Sequence, residues 1–139
     1  MAAAILDYIR SLESYAERSG ARLVRSALPE LVHGRVSHDV IMLRMDLNPE
    51  QELLTLVHEL AHWLAHRGVP AHQPRTVFEY EAEAVEAMVM ARLGLPRPSE
   101  DDDNPTDGLL SASVTRVIWA SGRICDALGV GTDGQPSKP

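Results

Sequence analysis

Cysteine is nearly absent from this 139-residue chain. The single thiol, Cys125, closes no intrachain disulfide, so stability has to come from a packed interior. Its neighbours Ile124 and Leu128 read as a buried helix position with no metal role, a pattern that fits a reducing, cytoplasmic compartment. Long apolar runs are missing too: nothing approaches the ~18 residues a membrane-spanning helix needs. Met1 to Arg10 contains Asp7 and lacks both a basic n-region and a long apolar stretch, so no signal peptide is expected there. Positive charge is scarce. Lys and Arg number 13 against 20 Asp and Glu, a net charge of −7, which leaves no overall basic footprint for gripping nucleic acid. Aromatics are few, and the two tryptophans, Trp63 and Trp119, are expected to pack and not to form a ligand platform.

What remains is an ordinary soluble composition, 45% hydrophobic and 24% charged, in a chain long enough for one core without a structural metal. A single domain over residues 1–128 is expected, with 129–139 a disordered tail. The acidic run Glu100-Asp101-Asp102-Asp103 lacks the glycine and distal glutamate of a calcium loop and reads as a solvated loop. Residues 3 to 18 have helical spacing, with Ile5, Leu6, Ile9, Leu12 and Tyr15 on one face and Gly20 as a stop. Arg22-Leu23-Val24 and Val40-Ile41-Met42-Leu43 read as strands of a small sheet, with Gly34 and Ser37-His38-Asp39 as turn material. A helix from Asn48 is the best signalled: Asn48 as N-cap, Pro49 at the first helical position and Gln51 completing a capping box. Its core stripe is Leu53, Leu56, Val57, Leu60 and Leu64, and Gly68 and Pro70 end it near Arg67. A further helix runs from Pro74 or Thr76 to Leu93, closed by Gly94, and a last one spans 109 to 128, with Leu110, Val114, Val117, Ile118, Ile124 and Leu128 as its apolar residues.

The chemistry-bearing pattern is His58-Glu59-Leu60-Ala61-His62. Histidines four apart share a helix face, about 6 Å apart along the axis, so two ring nitrogens can converge on one ion. Glu59, rotated by about 100°, misses the ion but reaches a water beside it. A zinc there lowers the pKa of that water and polarises a carbonyl, while the carboxylate takes a proton and hands it to a leaving amine. His-Glu-x-x-His on a helix is for that reason a zinc-protease pattern. The bland alternative is two histidines on a polar helix edge. Against it stand the capped helix, the preceding strand and the glutamate-rich helix that follows.

Two histidines leave zinc short of a protein ligand. His66 lies a further turn along the axis, too far to share the ion, and is expected to serve the helix C-terminus. His72 in the connector is a weaker candidate. Glu79, Glu83 and Glu86 share one face of the next helix, while Glu81 points away. Glu79 is favoured as third ligand, with Glu83 as the acid that holds a histidine ring; the reverse assignment stays open, and Thr76 with Glu79 also makes a capping box. Glu81 and Glu86 are expected on a solvated face. Tyr80, His72, His33, His38 and Arg123 are all candidates for an oxyanion donor.

Leu56-Val57-His58-Glu59-Leu60-Ala61-His62-Trp63-Leu64-Ala65-His66, then Glu79-x-Glu81-Ala82-Glu83-Ala84-Val85, then Leu93-Gly94-Leu95, resembles the ImmA/IrrE-type metallopeptidases over roughly residues 36 to 96. The chain is also similar to the catalytic domain of ArdC-type antirestriction proteins. The resemblance implies an α+β, compact zincin-like (gluzincin) domain, with helices packed on a small sheet and an edge strand, Val40 to Leu43, lining the cleft. It carries the zinc-ligand glutamate that opens Glu-x-x-Ala onto Glu79, with Ala82 at the alanine. It further implies Zn2+ as cofactor and limited proteolysis of a regulatory protein, such as a transcriptional repressor, in the bacterial cytoplasm. The partner expected is a protein or peptide substrate; the charge balance and the lack of long apolar runs argue against nucleic acid and membrane. Two other readings remain: a non-catalytic zinc-containing module that binds a protein or nucleic acid, which the presence of Glu59 weighs against, and a hydrolase of non-peptide amides.

Overall fold

The structure, a computed structural model, describes residues 2–67, 75–96 and 113–130. Among these residues it is an α+β fold of four helices and a three-stranded sheet. Helix α1 (Ala2–Arg18) presents Ile5, Ile9, Leu12 and Ala16 to the core, every third or fourth residue. Leu6 does not join them. One position from Ile5 is a rotation of about 100°, and Leu6 is 42% exposed. Gly20, at φ 108, makes the left-handed turn that releases the chain into the sheet.

Strands β1 (Arg22–Ser26), β2 (Gly34–Ser37) and β3 (Val40–Arg44) lie in the order β1-β3-β2, with β1 parallel and β2 antiparallel to β3. In β3, Ile41 and Leu43 are fully buried while Val40, Met42 and Arg44 are half-buried, the period of two expected of a sheet covered by helices on one face. Gly34 is not turn material: it opens β2. The turn is only His38 and Asp39, with His38 at φ 55. β1 pairs with one side of β3 and the tight turn folds β2 back on the other, so among the described residues the strand just before Asn48 is central and β2 lies at a sheet edge. The cleft-lining edge strand is therefore β2, not Val40 to Leu43.

Helix α2 (Pro49–His66) starts as its cap signals dictate. Asn48 Oδ1 accepts from Gln51 N at 2.9 Å, and Gln51 Oε1 accepts from Asn48 N at 3.2 Å. Leu53, Leu56, Val57 and Leu60 are fully buried, with Leu64 partly so. This helix packs against α1, β2, β3, α3 (Arg75–Leu93) and α4 (Val114–Leu128), which makes it the centre of the fold. Trp63 is buried as expected, and its indole N–H donates to Asp39 Oδ1 at 3.0 Å, tying the β2–β3 turn to α2. Gly94, at φ 70, ends α3.

Helix α4 is capped by Ser113 and ended by Gly129 in the left-handed region, with Val130 packed on the core. It buries Val117, Ala120, Ser121, Ile124 and Cys125. Val114 and Ile118 are 68% and 56% exposed, because the face carrying 117, 120, 121 and 124 is the one that meets the bundle. Trp119 is also on the outside, 49% exposed, with Arg123 over its ring. The expected features at 68–74, 97–112 and 131–139, including His72, Leu110 and the acidic run, lie outside the described residues. No helix among the described residues is long and apolar enough to cross a membrane.

Candidate metal centre

The four-residue spacing in α2 puts His58 and His62 side by side, ring centroids 4.9 Å apart and edge to face. Packing of α3 on α2 then brings Glu79 to both of them. Its Oε1 is 3.2 Å from His58 Nε2 and its Oε2 is 3.1 Å from His62 Nε2. One ligand atom from each of these three residues lies within 4.8 Å of the others. Neighbouring donors around a tetrahedral zinc with bonds of 2.0–2.1 Å are about 3.3 Å apart, so two imidazoles and a carboxylate at this spacing fit such an ion.

The electrostatics match this donor set. Hydrogen bonds to His58 and His62 hold the Glu79 carboxyl well below the usual carboxylate range, against the effect of its burial. Burial also works against charge on His58, but hydrogen bonds to Glu79 and Glu86 outweigh it and lift the imidazole to about 10. Glu59, next in sequence to His58, is almost completely buried, and burial pushes its carboxyl upward while the two histidines pull it down. It lines the same cavity as the three donors.

Three acids of α3 are placed differently from expectation. Glu83 is exposed, and the acid beside His58 Nδ1, at 3.4 Å, is Glu86. Positions 79 and 86 are seven apart, nearly two full turns, so they line up better than 79 and 83. Glu86 is buried as a result, not solvated. Glu81 is fully buried as well. Arg116 Nε and Nη2 each donate to it at 2.8 Å, as does Ser113 N at 2.6 Å. The face of α3 that looked free for solvent is the face that α4 covers, and α4 brings the arginine that neutralises Glu81. His66 is drawn into the same cluster, its Nε2 2.8 Å from Glu81 Oε1 and its Nδ1 2.9 Å from His62 Nδ1. It serves these two side chains, not the helix C-terminus.

A cavity of about 940 Å³ opens over the donors. His33 and His38 line it, and of the remaining oxyanion candidates Tyr80 and Arg123 do not. Arg123 instead donates to the Tyr15 hydroxyl at 3.2 Å. Leu31, at the cavity wall, is 92% exposed with φ 72, a backbone state costly for a bulky side chain. In the sequence Gly34 has the look of a turn residue, yet it sets how closely β2 approaches Thr55 and Glu59 of α2. The only sequence signal for this role is a glycine at the start of a strand, which marks close backbone approach.

Fold and donor set together define an α+β protein whose cleft offers two imidazoles and a carboxylate to a metal ion. The chain belongs to the family of the IrrE N-terminal-like domain, a peptidase family, whose model matches residues 16–106. That span runs from the end of α1 through all three strands, α2 and α3. No curated protein and no solved structure matches the chain.

Proposed function

We propose that this chain is a zinc-dependent metalloendopeptidase that performs limited proteolysis on a regulatory protein, such as a transcriptional repressor, in the cytoplasm. The observation that carries the reading is the convergence of His58 Nε2 and His62 Nε2 on the Glu79 carboxylate, beside buried Glu59, in a chain of a peptidase family. His58, His62 and Glu79 hold the metal. Zinc, when bound, supplies Lewis acidity to a water and to the scissile carbonyl. Glu59 takes a proton from the water and delivers it to the departing amine, and burial keeps its carboxyl basic enough for the first transfer.

The substrate lies along β2. Among the described residues this strand pairs only with β3, and an extended peptide adding to its other edge would pass residues 33–36 on the cavity wall. Leu31 offers it an apolar contact. The net charge of −7 gives nucleic acid no general grip.

The test compares wild type with Glu59→Gln for bound zinc and for cleavage of candidate protein substrates. The expected result is about one zinc per chain in both proteins, with cleavage reduced on the order of 10²–10⁴-fold by loss of the base. Wild type that takes up no zinc, even when metal is added, refutes the reading. Zinc in both with equal cleavage refutes the role of Glu59.

A further inference from the structure

The mechanism leaves one buried polar chain unused. It runs from His62 through His66 and Glu81 to Arg116 on α4. The His66 and Glu81 side chains are 7% and 0% exposed. A network of this kind is a poor stabiliser, since apolar residues of similar volume often do as well or better. Its polarity, by contrast, bears directly on His62.

The two ring nitrogens, His62 Nδ1 and His66 Nδ1, are 2.9 Å apart, so one must donate and the other accept. If His62 is to give the Nε2 lone pair to a metal, its ring proton belongs on Nδ1, and His62 is the donor. His66 then accepts at Nδ1 and carries its own proton on Nε2, which faces Glu81 Oε1 at 2.8 Å. The opposite polarity in a neutral His66 would set a bare Nε2 against a carboxylate oxygen. Glu81 therefore selects the tautomer of His66, and His66 that of His62. Glu81 has no freedom to turn, because the Arg116 fork and the Ser113 N–H hold both of its oxygens. The His66 ring is fixed too, stacked on Phe78 at 4.2 Å between centroids.

We propose that His66 is a positioning residue for the zinc ligand His62, held to one tautomer by the Glu81–Arg116 pair. This rests on the assignment of His58, His62 and Glu79 as the metal site. The dependence makes α4, which contributes nothing to the donor set, a support for metal binding.

The test uses the full chain, His66→Phe and His66→Asn. Phenylalanine keeps a ring for Phe78 and removes the acceptor; asparagine can place an oxygen near the position of Nδ1. Zinc affinity is read by competition with a chromophoric chelator, and ring protonation by long-range proton–nitrogen correlation spectra. His66→Phe is expected to weaken zinc binding by about 10- to 100-fold, the usual effect of losing an outer partner of a ligand histidine. The His62 Nδ1 proton should lose its protection at the same time, and His66→Asn should regain part of the affinity although its melting temperature falls like that of His66→Phe. Unchanged affinity in His66→Phe overturns the proposal, as does an equal loss in both variants. Wild type alone gives a second reading should the variants not fold: zinc-loaded protein with the His66 proton on Nδ1 overturns it. Wild type that binds no zinc removes the metal site and this inference together, whereas wild-type binding with a negative His66 result removes only the inference.

Discussion

Gly34→Ala adds one methyl group at the contact between β2 and α2. Its Cβ would sit 2.7 Å from Thr55 Cγ2, 3.0 Å from Glu59 Cγ and 3.0 Å from the Met42 carbonyl oxygen. Ordinary carbon contacts are about 3.5–4.0 Å, so all three neighbours are overrun. Met42 O belongs to the backbone of the central strand and cannot turn aside. Thr55 is buried and, being β-branched on a helix, has few rotamers to move to. Glu59 has the torsions to yield, and it is the group whose position the proposed chemistry needs. Overpacking of this size costs about 1–3 kcal/mol, and for a domain of this length that lowers Tm by roughly 3–10 °C. A base displaced by about 1 Å can cost on the order of 10²-fold in rate. The assay is thermal unfolding together with kcat/KM on a cleaved substrate, for Gly34→Ala, Thr55→Ser and the double variant. Serine lacks Cγ2, so the double variant should recover part of the loss, a coupling that a double-mutant cycle reads directly. Wild-type Tm and activity in Gly34→Ala, or strictly additive effects in the double variant, would refute this account of the strand–helix contact.

Three further outcomes follow from the same geometry. His58 holds its proton to about 10 without metal, and the metal takes the ring deprotonated, so zinc affinity should climb about tenfold per pH unit through this range; calorimetry in buffers of different ionisation enthalpy counts the released proton, and an affinity that levels off just above 6.5 contradicts it. Arg116→Met leaves the buried Glu81 carboxylate without its cation and should cost about 3–5 kcal/mol in urea unfolding. Glu81 titrates below its ordinary 4.5, held there by Arg116, Ser113 N–H and His66 against the opposing effect of burial, so its stabilisation is present above that pH and fades as pH falls through the lowered value. The loss in Arg116→Met should accordingly be largest near neutral pH and shrink in acid; a pH-independent loss points to packing instead. Asn48→Ala removes the acceptor 2.9 Å from Gln51 N and should cost about 1 kcal/mol while leaving zinc affinity unchanged; a large affinity loss would show that the cap also sets the register of the metal helix.

The elements best read from residues alone are those decided within a turn or two of chain. The Asn48 cap and Gln51 are three residues apart, and the turn they close is the same in any protein that contains it. The stripe from Leu53 to Leu60 and the shared face of His58 and His62 follow from helical periodicity, whatever packs against them. Gly94 ends α3 for an equally local reason. Misplaced features depended on segments far away in the chain. Glu81 looked solvated because its neutralising Arg116 is 35 residues away on α4. Leu6, Val114 and Ile118 are apolar, but which side of an amphipathic helix is covered depends on the neighbours, and theirs lie elsewhere. Val40 to Leu43 is a strand, but whether a strand is central or at an edge is a property of the whole sheet. For this protein the sequence by itself determined helix α2, its cap and the register of His58, Glu59 and His62, because those interactions span four residues or fewer. Only the tertiary structure decided that β2 walls the cleft, that Glu86 meets His58, and that α4 anchors Glu81 and His66 behind His62, because those contacts join elements whose order in the chain does not dictate their neighbours in space.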